Sequence, residues 1–118
     1  MEFSSPADKP VFVKTGHIVK RISGRDILYV SCEGNVSQLS LKDGSRLTCV
    51  RLLKLFEEDL AGAGFIRINH NCLANMAEVM EIRYVNARKR QLLISDGSVL
   101  DVSYRKWKAV KEALLGRN

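Results

Sequence analysis

The feature that most constrains this chain is its punctuation: short runs rich in β-branched and aromatic residues, each closed by a turn signal. Val11–Thr15 and Ile18–Ile22 flank Gly16-His17, and Asp26–Cys32 (DILYVSC) runs into Glu33-Gly34-Asn35. Val36–Leu41 alternates polar with apolar, turns at Lys42-Asp43-Gly44-Ser45 and resumes as Arg46–Val50. Phe65–Ile68 is short and extended. Val79–Val85 and Gln91–Ser95 flank Asn86-Ala87-Arg88-Lys89-Arg90, and Asp96-Gly97 leads into Val99–Val102. Alternation of this kind between Gly-, Asn- and Asp-bearing turns predicts half-buried strands joined as hairpins.

Two stretches depart from it. Val50, Leu53, Phe56 and Leu60 recur at helical spacing until Gly62 and Gly64, which predicts a first helix. A second is expected from Ser103, a good N-cap residue, with Trp107, Val110 and Leu114 on its core face and Lys106, Lys108 and Lys111 mostly elsewhere. Cys72–Met76 suggests a single helical turn. The pattern amounts to a β-dominated single domain of about eight short strands and two helices, with no helix-turn-helix, zinc-finger spacing or RNA-recognition aromatic motif.

The chain of 118 residues has room for one core, and a hydrophobic fraction of 46% is that of a packed globular protein. Met1–Pro10, with Ser4, Ser5, Pro6 and Pro10, reads as a linker or leader, and residues 11–118 as the domain. That leader lacks the apolar core of a signal peptide, and no apolar run approaches a membrane span, so a cytoplasmic location without membrane contact is expected. Cys32, Cys49 and Cys72 are too widely spaced for a CxxC motif and read as reduced, partly buried thiols.

Charge is lopsided. Residues 1–60 carry nine Lys/Arg against eight Asp/Glu, whereas residues 61–118 carry ten against five. A surplus concentrated in one half of a small domain is the footprint of a polyanion partner. Catalysis fits poorly: Glu57, Glu58 and Asp59 form a run on one helix rather than a facing pair, His17 and His70 accompany no nucleophile motif, and no glycine-rich phosphate loop is present. No enzyme activity, cofactor or metal is expected.

At Phe65–Asn75, FIRINHNCLAN, the chain resembles the F-x-R-x-H/N-x-S-x-x-x-N signature of the LytTR family of DNA-binding domains. DILYVSCEGN is similar to that family's strand and following loop, and DGSVLDVSYRKW to its closing run into the last helix. The three motifs stand in family order, and the match spans Val11 to about Leu115. The sequence departs at Asn69, where many members have His, at His70, where Arg or Asn is usual, and at Asn71, where Ser is common; these changes bear on which bases are read. The resemblance implies an α+β fold, mainly β with two or three short helices, in which eight to ten short strands form small antiparallel sheets with helices alongside. It also implies an effector domain of a bacterial two-component response regulator, usually following a receiver domain. By the same resemblance its loops are expected to enter neighbouring major grooves of promoter DNA at paired direct repeats and to bend the duplex. Two copies of a domain that is monomeric when free are expected on such repeats.

The resemblance and the side-chain chemistry together nominate the contacts. Asn35 matches a base-reading loop position, and asparagine can pair bidentately with adenine, although Gly34-Asn35 also suits a turn requiring positive φ. Asn69, His70 and Asn71 form a polar knot that is costly to bury, with Asn69 and His70 placed nearest the bases and Asn71 in support. Arg67 matches a position near phosphate; its plainer reading is a surface arginine paired with Glu or Asp. Arg105, just inside the expected helix start, is placed for guanine, with Tyr104, Lys106 and Lys108 on phosphate or in support. Lys89, in the Arg88-Lys89-Arg90 tip, reads equally as a phosphate contact or a solvated turn. Asn75 reads as a backbone staple and Trp107 as core. The rival to DNA binding is a protein-interaction module that docks a receiver or another β domain.

Overall fold

The computed structural model describes residues 5–116. Five strands form the central antiparallel sheet, in the order β5 (Arg46–Val50), β4 (Val36–Leu41), β3 (Ile27–Glu33), β7 (Cys72–Asn75), β6 (Phe65–Asn69). A hairpin of β1 (Pro10–Thr15) and β2 (Ile18–Ser23) stands apart from it, as does a three-stranded sheet ordered β10 (Val99–Val102), β9 (Arg90–Ile94), β8 (Val79–Tyr84). Helix α1 (Leu53–Asp59) follows β5, and α2 (Trp107–Leu115) closes the chain. This is the mainly β, multi-sheet architecture expected.

The central sheet is covered on both faces at β3 and β7, which send side chains into two separate cores, while one face of β4 and β5 stays open. Ile27 and Val30 of β3, Leu39 of β4 and Leu73 of β7 join Val11 and Val13 of β1 and Leu53, Phe56 and Leu60 on one side. Leu28 of β3 and Cys72 and Ala74 of β7 join Leu92, Ile94, Val102 and Val110 of the second sheet and α2 on the other. A register shift in β3 between Ile27 and Tyr29 puts Leu28 and Tyr29 on the same side. Phe56 is fully buried, and removing such a ring leaves a cavity costing about 3–5 kcal/mol.

Three expectations are corrected. Cys72–Met76 is not a helical turn: Cys72–Asn75 is strand β7, and a 3-10 turn occupies Met76–Glu78. All four β7 residues are buried, which leaves no polar–apolar alternation to reveal the strand. Val50 belongs to β5 and is 77% exposed, so α1 starts only at Leu53. The second helix starts at Trp107 rather than near Ser103. Ser103 donates its N–H to the Ile68 carbonyl at 2.8 Å, which holds it to the sheet and leaves Tyr104–Lys106 as a turn.

Residues 1–4 of the expected linker lie outside the described residues, and residues 5–9 are tied into the domain. Pro6–Asp8 form a 3-10 turn, the Lys9 carbonyl accepts from Gly24 N–H at 2.9 Å, and Asp8 pairs with Arg25 at 2.5 Å. A Cβ at Gly24 would crowd this contact, lying 3.1 Å from the Ala7 carbonyl oxygen and 3.2 Å from Leu60 Cδ2.

Candidate nucleic-acid interface

Antiparallel strands alternate their connections between two ends of the sheet, and the candidate residues fall at one of them. At the Glu33 end of β3 lie the β3–β4 tip (Gly34-Asn35), the β6–β7 tip (His70-Asn71) and the β10–α2 turn (Tyr104–Lys106). The first two tips are linked by the bond from Cys32 N–H to the Asn71 carbonyl, 2.9 Å. The last two are linked twice. Asn69 Nδ2 donates to the Asp101 carbonyl at 2.6 Å, and Ser103 N–H donates to the Ile68 carbonyl at 2.8 Å. That second link follows from a bulge: the β6–β7 register shifts between Arg67 and Asn69, leaving Ile68 without a ladder partner there.

Each tip presents some side chains and uses others to hold its shape. Gly34 takes the positive φ of the β3–β4 turn, 63°, and no non-glycine residue among those described has one. The turn conformation therefore does not explain Asn35, which is exposed and makes no side-chain hydrogen bond among the described residues. In the polar knot the roles divide. Asn69 is half-buried with both ends of its amide engaged: Oδ1 accepts from Asn71 N–H at 2.7 Å while Nδ2 holds Asp101. His70 and Asn71 are exposed; the imidazole makes no bond within the described residues, and the Asn71 side chain makes only a long contact from Cys32 Sγ, 4.0 Å.

Arg67 pairs with Glu57 at 3.4 Å and donates through Nη2 to the His70 carbonyl at 2.7 Å. The carboxylate partner of the plainer reading is thus present, and the guanidinium also braces the tip from below. Asn75, 4% exposed, is the staple expected, donating to the Ile27 carbonyl at 3.0 Å and accepting from Ala77 N–H at 3.1 Å. Beneath the tip, burial pushes the Cys72 thiol up to about 12, with the Cys32 thiol adding to the shift. All three cysteines are free thiols.

Arg105, Lys106 and Lys108 are exposed, and no carboxylate lies within ion-pair distance of them among the described residues. Lys89 is likewise exposed and unpaired. Its hairpin tip folds back on the β10–α2 turn through cation–π contacts that no spacing in the sequence announces. Arg88 lies over the Tyr104 ring at 4.4 Å, and Arg90 lies over Tyr84 at 4.5 Å and Trp107 at 5.4 Å. Trp107 is half-buried and meets Tyr84 edge to face at 5.6 Å, packing on the second core as expected. An open concavity lined by Ser31, Cys32, Gln38, Thr48 and Asn71 flanks the first two tips. No helix among the described residues is long and apolar enough to cross a membrane.

Known proteins supply the remaining evidence. No curated protein matches the chain by sequence. Among solved structures, the LytTr DNA-binding domain of a Bacillus cereus protein described as a methyl-accepting/DNA response regulator superposes with a TM-score of 0.78 at 18% identity, over 91% of this chain and 97% of that one. At that identity the likeness is one of fold. The family profile named LytTr DNA-binding domain matches residues 18–115, and the chain belongs to the LytTR family of DNA-binding domains.

Proposed function

We propose that this domain binds promoter DNA sequence-specifically as the effector part of a bacterial response regulator in the cytoplasm, in a longer chain that also carries a receiver domain. The observation that carries the reading is the cluster of Asn35, His70 and Arg105 on three linked tips at one end of the sheet, each exposed and without a side-chain partner among the described residues. An exposed donor can exchange water for a base edge at little cost. Asparagine suits adenine, arginine suits guanine, and the imidazole can donate or accept.

The supporting residues divide by geometry. Lys89, Lys106 and Lys108 neutralise phosphates. Asn69 and Arg67 act through the tip they brace, with Asn71 and Tyr104 beside the readers. Three tips on one small domain read a short site, so two copies of a domain monomeric when free occupy direct repeats about 10–10.5 base pairs apart, centre to centre. Tips entering successive grooves from one side bend the duplex, at an elastic cost of about 1–6 kcal/mol offset by the added contacts.

The test is Arg105→Ala on a duplex recovered by selection from a random library. Affinity should fall by about 1–3 kcal/mol with specificity relaxed at one or two base pairs. An equal loss on selected and random duplex would make Arg105 a phosphate contact. A second reading, protein docking, draws on the β1–β2 hairpin, where Phe12, Ile18 and Val19 are 59%, 58% and 61% exposed. A domain that binds a receiver but shows no preference for the selected duplex would favour it.

A further inference from the structure

Resting on that reading, we infer that Arg88, beside Lys89 on the β8–β9 tip, is a further phosphate contact at the outer end of the DNA edge, held in position by Tyr104. The basic tip is anchored rather than loose. Arg90 Nη1 donates to the Asn86 carbonyl at 2.6 Å while its guanidinium lies over the Tyr84 and Trp107 rings. Asn86 Oδ1 in turn accepts from the backbone N–H of Arg88 and Lys89 at 2.9 and 3.0 Å. These bonds and ring contacts tie the tip to the start of α2.

Within it, Arg88 stacks on Tyr104, which directly precedes the proposed guanine reader Arg105. A guanidinium whose carbon lies over a ring keeps its N–H donors for other acceptors. Those of Arg88 meet no acceptor among the described residues, and the side chain is exposed. Stacking also removes rotamer freedom before binding, so less order is lost when a phosphate oxygen docks. These links place the contact points in sequence. The β3–β4 tip adjoins the β6–β7 tip, that adjoins the β10–α2 turn, and the turn adjoins Arg88. Arg88 therefore meets the backbone at the flank of the site on the Arg105 side.

The experiment measures salt-dependent affinity by fluorescence anisotropy on the selected duplex and on one of random sequence, for wild type, Arg88→Ala, Tyr104→Ala, Tyr104→Phe and the Arg88→Ala/Tyr104→Ala double variant. Arg88→Ala should weaken both duplexes by the same factor and flatten the slope of log affinity against log salt by about one unit, with thermal stability retained. Tyr104→Phe keeps the ring beneath Arg88 and should retain more affinity than Tyr104→Ala. Tyr104→Ala should lose affinity, and the double variant should be no worse than Arg88→Ala alone, because the ring acts through the guanidinium. Ethylation interference with Arg88→Ala should lose protection at one outer end of the footprint only. An unchanged slope in Arg88→Ala overturns the contact, and additive losses in the double variant overturn the positioning role of Tyr104. Wild-type protein that binds neither duplex overturns the broader reading and this one with it, whereas wild-type binding with an unaltered Arg88→Ala slope overturns this one alone.

Discussion

The two ends of strand β3 carry different turns and different chemistry. At the Ile27 end the turns are acidic and closed upon themselves. Asp43 accepts from Ser45 N–H at 2.8 Å and Asp96 from Ser98 N–H at 2.9 Å, and each also takes the hydroxyl of the same serine. The Ser45 bonds hold the Asp43 carboxyl below its ordinary range. Two cations near that end are paired, Lys42 with Glu78 at 3.2 Å and Arg25 with Asp8 at 2.5 Å, while the exposed Arg46 has no carboxylate partner among the described residues. At the other end Glu33 stands beside tips that carry Asn35, His70 and Asn71, and the cations Lys89, Arg105 and Lys106 have no carboxylate partner among the described residues. A net charge of +6 says only that cations are in surplus. The comparison shows where the surplus is available: exposed ion pairs contribute little to stability, but an arginine beside an aspartate is already neutralised toward DNA.

The sharpest way to break this contrast is to neutralise each end in turn. Arg105→Ala/Lys106→Ala/Lys108→Ala should flatten the salt slope of DNA affinity by about two to three units, and Arg25→Ala/Lys42→Ala should leave it unchanged. Anisotropy titrations over a range of salt concentrations read both. Equal slopes in the two variants would mean that the ends do not differ as described.

Much of this contrast is legible in the sequence, for a physical reason. Asp43-Gly44 and Asp96-Gly97 announce their turns because a carboxylate closes the loop and the glycine takes a positive φ, 88° and 90°. The flanking strands β4, β5 and β10 are bounded by such turns and are read to the residue. Strand β7 escapes because Leu73 enters one core while Cys72 and Ala74 enter the other, so burial erases the alternation. Val50 matches the helical spacing of Leu53 and Phe56 by coincidence, its own side chain facing solvent. At the candidate site the motif locates the tips, but it does not separate presenters from braces. Asn69 and His70 are adjacent polar residues, and only the bulge before them decides that one amide turns in while the imidazole stays out. The Arg88–Tyr104 stack joins residues sixteen apart on different elements, and no periodicity encodes it.

A smaller effect sharpens the role of the shared scaffold between the ends. Asn75→Ala leaves the buried Ile27 carbonyl and the Ala77 N–H without their partner, which should cost about 1–3 kcal/mol of stability by urea denaturation. The salt slope of the folded variant should remain that of wild type. An unshifted denaturation midpoint would contradict the staple; an altered slope would tie Asn75 to the interface itself.

The smallest effect is chemical and confined to the base of the Glu33 end. Only the thiolate reacts with alkylating agents, and Cys72 is 5% exposed with its thiol pushed up to about 12, whereas Cys32 is half-buried. Timed alkylation of the native protein near neutral pH, followed by peptide mass spectrometry, should label Cys72 far more slowly than Cys32. Comparable rates would show that the β6–β7 tip opens readily and does not hold His70 in one place.

The central claim, that one end of the sheet meets DNA and the other does not, is tested most directly by hydrogen exchange of the backbone with and without the selected duplex. Slowed exchange is predicted in the peptides covering Gly34-Asn35, His70-Asn71, Arg88-Lys89 and Tyr104–Lys106, with the turns at Lys42–Ser45 and Ser95–Ser98 unchanged. Protection confined to those two acidic turns or to the β1–β2 hairpin, with the four tips exchanging as in the free protein, would contradict it.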